Sequence, residues 1–404
     1  MNELKLDNFL KIKLVDGDAD LDDIQESRSF IGPSHRRLGD AGETHCCAFS
    51  PDGKLLAWSI AHGFVKVCWF APIANRNASE DSLLSNNSEL TIDCAKKVVT
   101  LKFGPLRCDV NENVKYLLAT GLDCGRIKLW NPFTGEMMYN LSDHHFDVKA
   151  LSFALLGEPL LISCSLDKTL KVWDLADDGN MTLTITGHPL SVFDCAFSPV
   201  DPSLICSVGK GSCVIIWKLH NKRHCTKKSQ LRGHHNDVVS CSWSPDGALV
   251  ATASHDTTVI VWDPHISQQI MVLGHVNPLP EPIFAGGANG AWLSCVCFSP
   301  DGSQIATLCE DEKLRVWSLW TNEPTREKSL NKPGSVCIFS PNGSSIALGN
   351  SAGSVVILDI GLSVMPLRHL SRLALRTVYN TSELQILSLP SMIKRYLQYT
   401  ARQF

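Results

Sequence analysis

The sequence lacks several features that would place a chain of 404 residues in a common functional class. No two of its 16 cysteines have the Cys-x-x-Cys spacing of zinc or redox sites. No apolar run approaches the roughly 18 residues of a membrane span, and the N-terminus has no apolar signal core. The 37 Lys and Arg do not outnumber the 41 Asp and Glu, and a net charge of −4 disfavours nucleic-acid binding. We therefore expect a globular protein of the cytoplasm or nucleus, with reduced cysteines, no metal, no other cofactor and no membrane association.

An apolar run that ends in a large residue recurs along the chain. The ends are Trp69, Trp130, Trp173, Trp217, Trp262, Trp317 and Leu358, at spacings of 61, 43, 44, 45, 55 and 41 residues. Each repeat contains several short strand patterns separated by turns, for example at 238–243, 248–254 and 258–263. One such sheet cannot bury both of its faces alone, whereas a radial array of seven sheets can. The repeats therefore predict an all-β, seven-bladed propeller.

A set of polar and aromatic residues recurs within these repeats and includes the residue types of a hydrolase triad. Its members are His234, Thr252, Asp256 and Trp262 in one repeat, and His144, Ser163, Asp167 and Trp173 in another. Their repetition favours a structural hydrogen-bond network, in which Asp orients the His ring and the hydroxyl meets the second ring nitrogen and the indole. Cys124 and Gly211 replace the Asp and Leu358 replaces the Trp, so the network should be weaker in those repeats.

These repeats resemble a known family at their glycine–histidine and tryptophan–aspartate dipeptides. The dipeptides Gly187-His188, Trp173-Asp174, Gly233-His234 and Trp262-Asp263 are similar to the WD-repeat signature. His144, His188 and His234 each lie nine residues before an aromatic residue of the following strand. The resemblance implies a seven-bladed WD-repeat propeller over residues 28–361. We expect residues 1–27 to form a flexible acidic arm ahead of it.

One rim of the propeller is a candidate surface for binding a protein substrate. The residue before each turn position would line it: His62, Asp123, Leu166, Lys210, His255, Glu310 and Ser351. This ring is chemically mixed and contains no Arg, so it does not support a reader of phosphorylated peptides. Insertions at 75–90 and 276–291 are predicted surface loops.

After residue 360 the apolar period changes from that of a strand to that of a helix. From Pro366, an apolar stripe contains Leu367, Leu370, Ala374, Leu375 and Val378, and Arg368, Arg372 and Arg376 occupy the opposite side. Further short helices are predicted at 382–387 and after Pro390, where Ile393, Tyr396 and Leu397 share a face. About 40 residues with neither metal nor disulfide rarely form a core of their own. The stripe therefore predicts a protein partner, the alternative being that it packs beneath the propeller.

Two segments of this tail resemble the parts of a SOCS box. The segment PLRHLSRLAL at 366–375 is similar to the elongin-binding box, and LSLPSMIKRYL at 387–397 is similar to the cullin-selecting box. The resemblance assigns Leu367, Leu370, Ser371 and Leu375 to elongin C, and Leu387, Leu389, Pro390 and Ile393 to a cullin. Ser371 stands where the family most often has Cys, which implies weaker elongin binding. Ser388 stands where it most often has Pro, which leaves the choice of cullin open.

A propeller followed by a SOCS box at 362–404 is similar to the family of WD repeat and SOCS box-containing proteins. The resemblance implies a non-catalytic substrate-recognition subunit of an elongin-cullin-SOCS-box E3 ubiquitin ligase. Its partners would be elongin C, elongin B, a cullin, expected to be the fifth, with its RING protein, and a target that the propeller binds for ubiquitination. A WD-repeat scaffold without a ligase role and a propeller hydrolase are the alternatives.

Overall fold

The computed structural model shows a ring of seven four-stranded antiparallel sheets, which confirms the predicted seven-bladed propeller. It describes residues 25–31, 44–60, 63–70, 89–105, 116–275, 292–319, 324–351 and 353–361, and in the tail 367–376, 379, 381–386, 389, 393–394 and 397. The acidic arm before residue 25 and both predicted insertion loops lie outside these ranges, apart from residues 89 and 90. In the described part of the chain, no helix is long and apolar enough to cross a bilayer.

The strands follow the chain blade by blade. The first strand, β1 (Gln25–Ile31), belongs to the last blade. Blade 1 contains β2 (Cys47–Phe49), β3 (Leu55–Ile60), β4 (Phe64–Trp69) and β5 (Leu90–Asp93), and blade 2 contains β6 (Val98–Pro105), β7 (Tyr116–Leu122), β8 (Arg126–Trp130) and β9 (Met137–Ser142). Blade 3 contains β10 (Val148–Phe153), β11 (Leu160–Ser165), β12 (Leu170–Asp174) and β13 (Asn180–Ile185), and blade 4 contains β14 (Val192–Phe197), β15 (Leu204–Gly209), β16 (Cys213–Asn221) and β17 (His224–Leu231).

The remaining blades repeat this order. Blade 5 contains β18 (Val238–Trp243), β19 (Val250–Ser254), β20 (Thr258–Asp263) and β21 (Gln268–Gly274), and blade 6 contains β22 (Leu293–Phe298), β23 (Gln304–Cys309), β24 (Lys313–Ser318) and β25 (Pro324–Ser329). Blade 7 contains β26 (Gly334–Phe339), β27 (Ser345–Asn350) and β28 (Ser354–Asp359), with β1 as its fourth strand.

The hydrophobic core lies between the blades. The first strand of each blade contacts the first strand of the next, so these inner strands surround the propeller axis. One apolar cluster joins the buried Ile162 and Val172 of blade 3 to the buried Phe197 and Ile215 of blade 4. Because every blade has a neighbour on each side, both faces of its sheet are removed from water.

Blade 1 departs from the repeat at the position of its closing aromatic residue. In blade 5, Trp262 pairs with Val250 of the neighbouring strand, but the equivalent partner in blade 1, Leu56, pairs with Cys68. Trp69 lies one residue further along and is 44% exposed, whereas Trp262 is 1% exposed. The sequence expectation that Trp69 closes its repeat in the same way is therefore wrong.

The buried Trp58 explains this difference. It is fully buried at the position that Thr252 occupies in blade 5, because Trp58 pairs with Lys66 as Thr252 pairs with Ile260. Because the large Trp58 indole occupies the threonine position, only a small side chain, here the thiol of Cys68, fits at the tryptophan position.

The propeller closes because strands from both ends of the chain pair in one sheet. β1 runs antiparallel to β28, from Gln25 opposite Asp359 to Ile31 opposite Ser354, with a register shift after Glu26. The propeller strand thus begins three residues ahead of the sequence boundary at residue 28. Beyond β28, Arg326 of blade 6 donates a hydrogen bond to the carbonyl of Ile360, where the chain leaves the propeller.

The tail forms short helices. The described elements are α1 (Leu367–Arg376) and α2 (Thr381–Ile386), with helical residues also at 393–394 and 397. Past the end of α1, the amide of Tyr379 donates to the carbonyl of Leu375 over 2.9 Å.

The β1–β28 pairing predicts how truncation changes stability. A chain that starts at residue 32 should be less stable than one that starts at residue 25, by roughly 2–5 kcal/mol, because a strand of seven residues and its ladder of hydrogen bonds are lost. Urea unfolding of the two chains measures this difference. Equal midpoints would show that β1 does not hold the ring closed.

Candidate functional site

The recurring polar residues form a closed hydrogen-bond network in blade 3. Nδ1 of His144 lies 2.7 Å from Oδ2 of Asp167, and its Nε2 lies 2.8 Å from Oγ of Ser163. The indole of Trp173 donates to the same Ser163 oxygen over 2.9 Å. The hydroxyl of Thr169 donates to the second oxygen of Asp167 over 2.6 Å. Hydrogen bonds to the carboxylate outweigh the cost of its desolvation and hold the pKa of Asp167 well below its usual range.

Blade 5 contains the same arrangement. His234 bridges Asp256, 2.9 Å from Nδ1, and Thr252, 2.7 Å from Nε2, while Trp262 donates to Thr252 over 2.8 Å. Hydrogen bonds from His234 and Thr258 overcome desolvation and lower the pKa of Asp256 to about 2.

The same geometry argues against a hydrolase. In a serine hydrolase the nucleophilic oxygen must reach a substrate, but Ser163 and Thr252 are fully buried and both accept an indole N–H. Within the ranges that the structure describes, no group of three or more His, Cys, Asp or Glu is arranged to hold a metal ion. The network is therefore suited to holding the strands and turns of one blade together.

Blades 4 and 6 keep only part of this network. His188 contacts Ser207 over 2.6 Å in blade 4, but Gly211 stands at the position of the turn Asp and leaves Nδ1 of His188 without a hydrogen-bond partner among the described residues. Burial, supported by the nearby Lys227, lowers the pKa of His188 to about 4. The weakening predicted from Gly211 thus corresponds to a missing hydrogen bond.

The sequence did not reveal the network histidine of blade 6. His275 contacts Thr307 over 2.8 Å, and Trp317 donates to that hydroxyl over 2.8 Å. The turn residue Asp311 is present but pairs with Arg315 over 2.6 Å. Burial and Arg315 lower the pKa of His275 to about 3. His275 was missed because the segment at 276–291 breaks the nine-residue spacing that identified the other histidines.

Six of the seven predicted rim residues occupy equivalent positions. Each donates its backbone amide to a residue just before the inner strand of its own blade: Asp123 to Lys97, Leu166 to Asp147, Lys210 to Ser191, His255 to Asp237, Glu310 to Trp292 and Ser351 to Pro333. His62 lies outside the described residues, so its place on the rim stays a prediction.

The rim is chemically mixed, as the sequence predicted. Lys210 and Glu310 are exposed, and the His255 ring stacks on Trp292 with centroids 5.0 Å apart. Phe146 and Leu190, next to rim positions of blades 3 and 4, are 60% and 40% exposed. The rim therefore offers apolar and charged contacts side by side.

Helix α1 turns its arginine side inward and its apolar side outward. Arg372 is fully buried and Arg376 is 5% exposed, whereas Leu370 and Leu375 are 43% and 38% exposed. Leu373 faces the propeller, since its Cδ2 would lie 3.7 Å from a Cβ atom if Gly302 carried one. The apolar stripe is thus not tucked beneath the blades at Leu370 and Leu375.

A cleft of about 700 Å³ separates this part of the tail from blades 4 and 5. Arg376 and Glu383 line it on the tail side, and the acidic Asp201 and Asp246 line it on the propeller side. His265 also lines the cleft, where burial lowers its pKa; Asp263 opposes this shift, and the positive charges of Lys228 and Arg376 add to it. Lys218 and Lys228 line the propeller side as well, and Lys218 pairs with Asp201 over 3.3 Å, so the cleft contains both acidic and basic side chains.

The structure describes some of the residues predicted to contact a partner and shows how exposed they are. Of the elongin set, Leu370, Ser371 and Leu375 are exposed on α1, and Leu367 opens this helix with its side chain outside the described part. Of the cullin set, Leu389 is half-buried and Ile393 is 40% exposed. Leu387 and Pro390 lie outside the described residues. Leu397 is 2% exposed and Tyr396 lies outside the described residues, so the common face of Ile393, Tyr396 and Leu397 stays a prediction.

Comparison with known proteins agrees with both parts of the chain. The family model of the WD domain, G-beta repeat, matches residues 135–174, 179–218, 225–263 and 282–318. The chain is 42% identical over 389 residues to WD repeat and SOCS box-containing protein 1 of Xenopus tropicalis and of Homo sapiens, covering 88% of this chain and 91% of each relative. The same protein of Danio rerio is 42% identical over 402 residues, 91% of this chain and 93% of the relative.

The seven-bladed ring with its His–Ser/Thr–Trp networks defines a WD-repeat propeller protein that carries a helical C-terminal segment. Together with the similarity over about nine-tenths of its length, this shows that the chain belongs to the family of WD repeat and SOCS box-containing proteins.

The blade 5 network predicts that removal of the Thr252 hydroxyl greatly lowers the stability of the propeller. Thr252→Val should destabilise the propeller by about 2–4 kcal/mol, because the buried His234 ring and Trp262 indole both lose their partner. Thr91→Val, at an exposed position of β5, is the matched control and should change stability by less than about 0.5 kcal/mol. Chemical denaturation measures both, and similar values for the two variants would contradict the network's role.

The incomplete network of blade 4 predicts acid sensitivity. The pKa of His188 is about 4 in the folded chain against 6.5 as its ordinary value, so the unfolded state binds more protons between these values. This contribution to stability is complete above pH 6.5 and is lost as the pH falls towards 4, by about 2 kcal/mol at pH 4.5. His188→Gln should therefore flatten the decline of the melting temperature between pH 6.5 and 4.5, whereas the exposed His145→Gln should leave it unchanged. Parallel curves for the wild type and His188→Gln would contradict this assignment.

Proposed function

We propose that this protein is the substrate-recognition subunit of an elongin-cullin-SOCS-box E3 ubiquitin ligase. The tail binds elongin C, which brings elongin B, and it contacts a cullin with its RING protein. The propeller binds the protein to be ubiquitinated. The observation that supports the proposal is the orientation of α1, which keeps Leu370 and Leu375 exposed while Arg372 and Arg376 are covered.

The exposed area of Leu370 and Leu375 limits the free energy that each can contribute to partner binding. A Leu side chain that is fully transferred from water contributes about 1.5–3 kcal/mol. Leu370 and Leu375 are already more than half covered, so each can add about 1 kcal/mol when a partner covers the rest. Two such side chains cannot alone support a stable complex. This agrees with the family resemblance, which makes Leu367 the main anchor.

The second half of the tail supports a cullin contact more weakly. Ile393 is 40% exposed and Leu389 is half-buried, so both offer some apolar surface. The resemblance makes the fifth cullin the expected partner. Ser388 stands where the family most often has proline, so this residue does not support the choice of cullin.

The mechanism we propose is proximity. The chain performs no covalent step, since its Ser, His and Asp sets are buried network residues. It raises the effective concentration of a target lysine near a ubiquitin-conjugating enzyme that the RING protein holds. The rim at Lys210, His255 and Glu310, with Phe146 and Leu190 beside it, is the surface that we assign to the target.

Substitution of the apolar stripe tests the proposal. Leu367→Asp should abolish capture of purified elongin B and C, and Leu375→Asp should weaken it about 5- to 30-fold, because a charge replaces an apolar contact. Calorimetry with the full-length chain measures the affinities, and thermal unfolding should change by no more than a few degrees. Leu155→Asp, at a 45% exposed propeller position, is the matched control and should bind as the wild type does.

Either of two results would overturn the proposal. Wild-type chain that fails to bind elongin would leave a WD-repeat interaction scaffold as the function. Undiminished binding by both stripe variants would show that α1 is not the elongin-binding element.

A further inference from the structure

Polar side chains on the inner strands connect successive blades around the axis. The amide of Phe197 in blade 4 donates to the hydroxyl of Ser152 in blade 3 over 3.1 Å. In the same way, the amide of Cys241 in blade 5 donates to the carboxylate of Asp194 in blade 4 over 2.8 Å. The amide of Phe298 in blade 6 donates to Ser242 of blade 5 over 3.2 Å. An oxygen side chain thus bridges each of these blade boundaries.

Between blades 6 and 7, thiols occupy these bridging positions. Cys297 is the fifth residue of β22, as Ser152 and Ser242 are of their own inner strands. Its Sγ lies 3.8 Å from Sγ of Cys337 on β26, while Sγ of Cys295 donates to the carbonyl oxygen of Cys337 over 3.4 Å. Three thiols from two neighbouring blades therefore meet beside the axis.

From this geometry we infer that Cys297 and Cys337 are an oxidation site, at which a hydroperoxide converts two facing thiols into a disulfide between blades 6 and 7. The two sulfur atoms must approach from 3.8 Å to about 2.05 Å, a movement that small side-chain rotations on adjacent strands can supply. The inference does not depend on the ligase role of the tail.

The reaction has two steps. Cys297 is half-buried and Cys337 is fully buried, so the peroxide reaches Cys297 first. The Cys297 sulfur, after losing its proton, attacks one peroxide oxygen, the O–O bond breaks, and the leaving hydroxide takes up the proton to form water. The Cys337 sulfur then attacks the resulting sulfenic acid, the S–S bond forms, and a second water leaves. The two thiols supply the two electrons that reduce the peroxide.

Position and not acidity distinguishes this pair from the other buried thiols, because hydrogen bonds with Cys295 and Cys297, together with burial, raise the pKa of Cys337 well above its usual range. Burial raises the pKa of Cys47 and of Cys195 well above the usual range, which keeps them protonated. A hydrogen bond from Cys337 lowers the pKa of Cys295, so Cys295 is the competing partner for Cys337. We assign the site to Cys297 because its Sγ lies 3.8 Å from Sγ of Cys337, whereas Sγ of Cys295 donates to the Cys337 carbonyl.

Peptide mapping of the folded, full-length chain tests the inference. The reduced protein is treated with hydrogen peroxide, its free thiols are blocked with N-ethylmaleimide, and it is digested and analysed by mass spectrometry. We expect one cross-linked species that joins the peptides of Cys297 and Cys337, is two hydrogens lighter than their sum, and disappears on reduction. Cys297→Ser should abolish it, while Cys295→Ser, two residues away on the same strand, should keep it.

Three results would overturn the inference. Alkylated Cys297 and Cys337 after peroxide treatment would show that no bond forms. Cys297 recovered as the sulfinic acid beside alkylated Cys337 would show that the second sulfur cannot reach the first. A Cys295–Cys337 link that survives Cys297→Ser would assign the site to the other cysteine. The wild-type map reads the first two directly, so it remains decisive if a variant fails to fold.

Discussion

A blade of this propeller is stable only between two neighbours, and the ring must therefore close. The antiparallel pairing of β1 with β28 meets this requirement, because it completes blade 7 with strands from the two ends of the chain. The same closure fixes where the tail begins. The chain leaves the sheet at Asp359, and Arg326 of blade 6 holds the carbonyl of Ile360 as it does so. The segment that we propose to bind a partner is thus attached directly to the closed edge of the ring.

Within the ring, triad-like residues serve a structural purpose. The Asp167–His144–Ser163 set satisfies the donor and acceptor inventory of a hydrolase, yet its hydroxyl is fully buried and accepts the Trp173 indole. Burial makes each of these polar groups costly unless it is bonded, so the network favours one arrangement of neighbouring strands. Reactivity would require the opposite, an oxygen open to substrate. The buried polar sets of this propeller therefore serve its stability.

Much of the fold could be predicted because it depends on residues that recur at fixed separations within each repeat. Trp262 and Asp256 lie at fixed separations from His234 along the chain, and the structure brings all of them together with Thr252. The predictions were wrong or incomplete where a distant residue decides the outcome. Trp58 fills the place of a hydroxyl, which shifts the closing position of blade 1 from Trp69 to Cys68. Asp311 has the expected spacing, but Arg315 competes successfully for its carboxylate.

For the tail, the sequence predicted two faces of α1 but not which one the propeller would cover. The usual rule buries the apolar side of a surface helix. Here Arg372 and Arg376 are buried, and Asp201, Asp246 and Glu383 line the cleft that Arg376 enters. The long alkyl stems of arginine can pack against the blades, which lets a charged side chain cover apolar surface. Leu370 and Leu375 thereby stay on the outer side of α1, which is the orientation that binding of another protein would require.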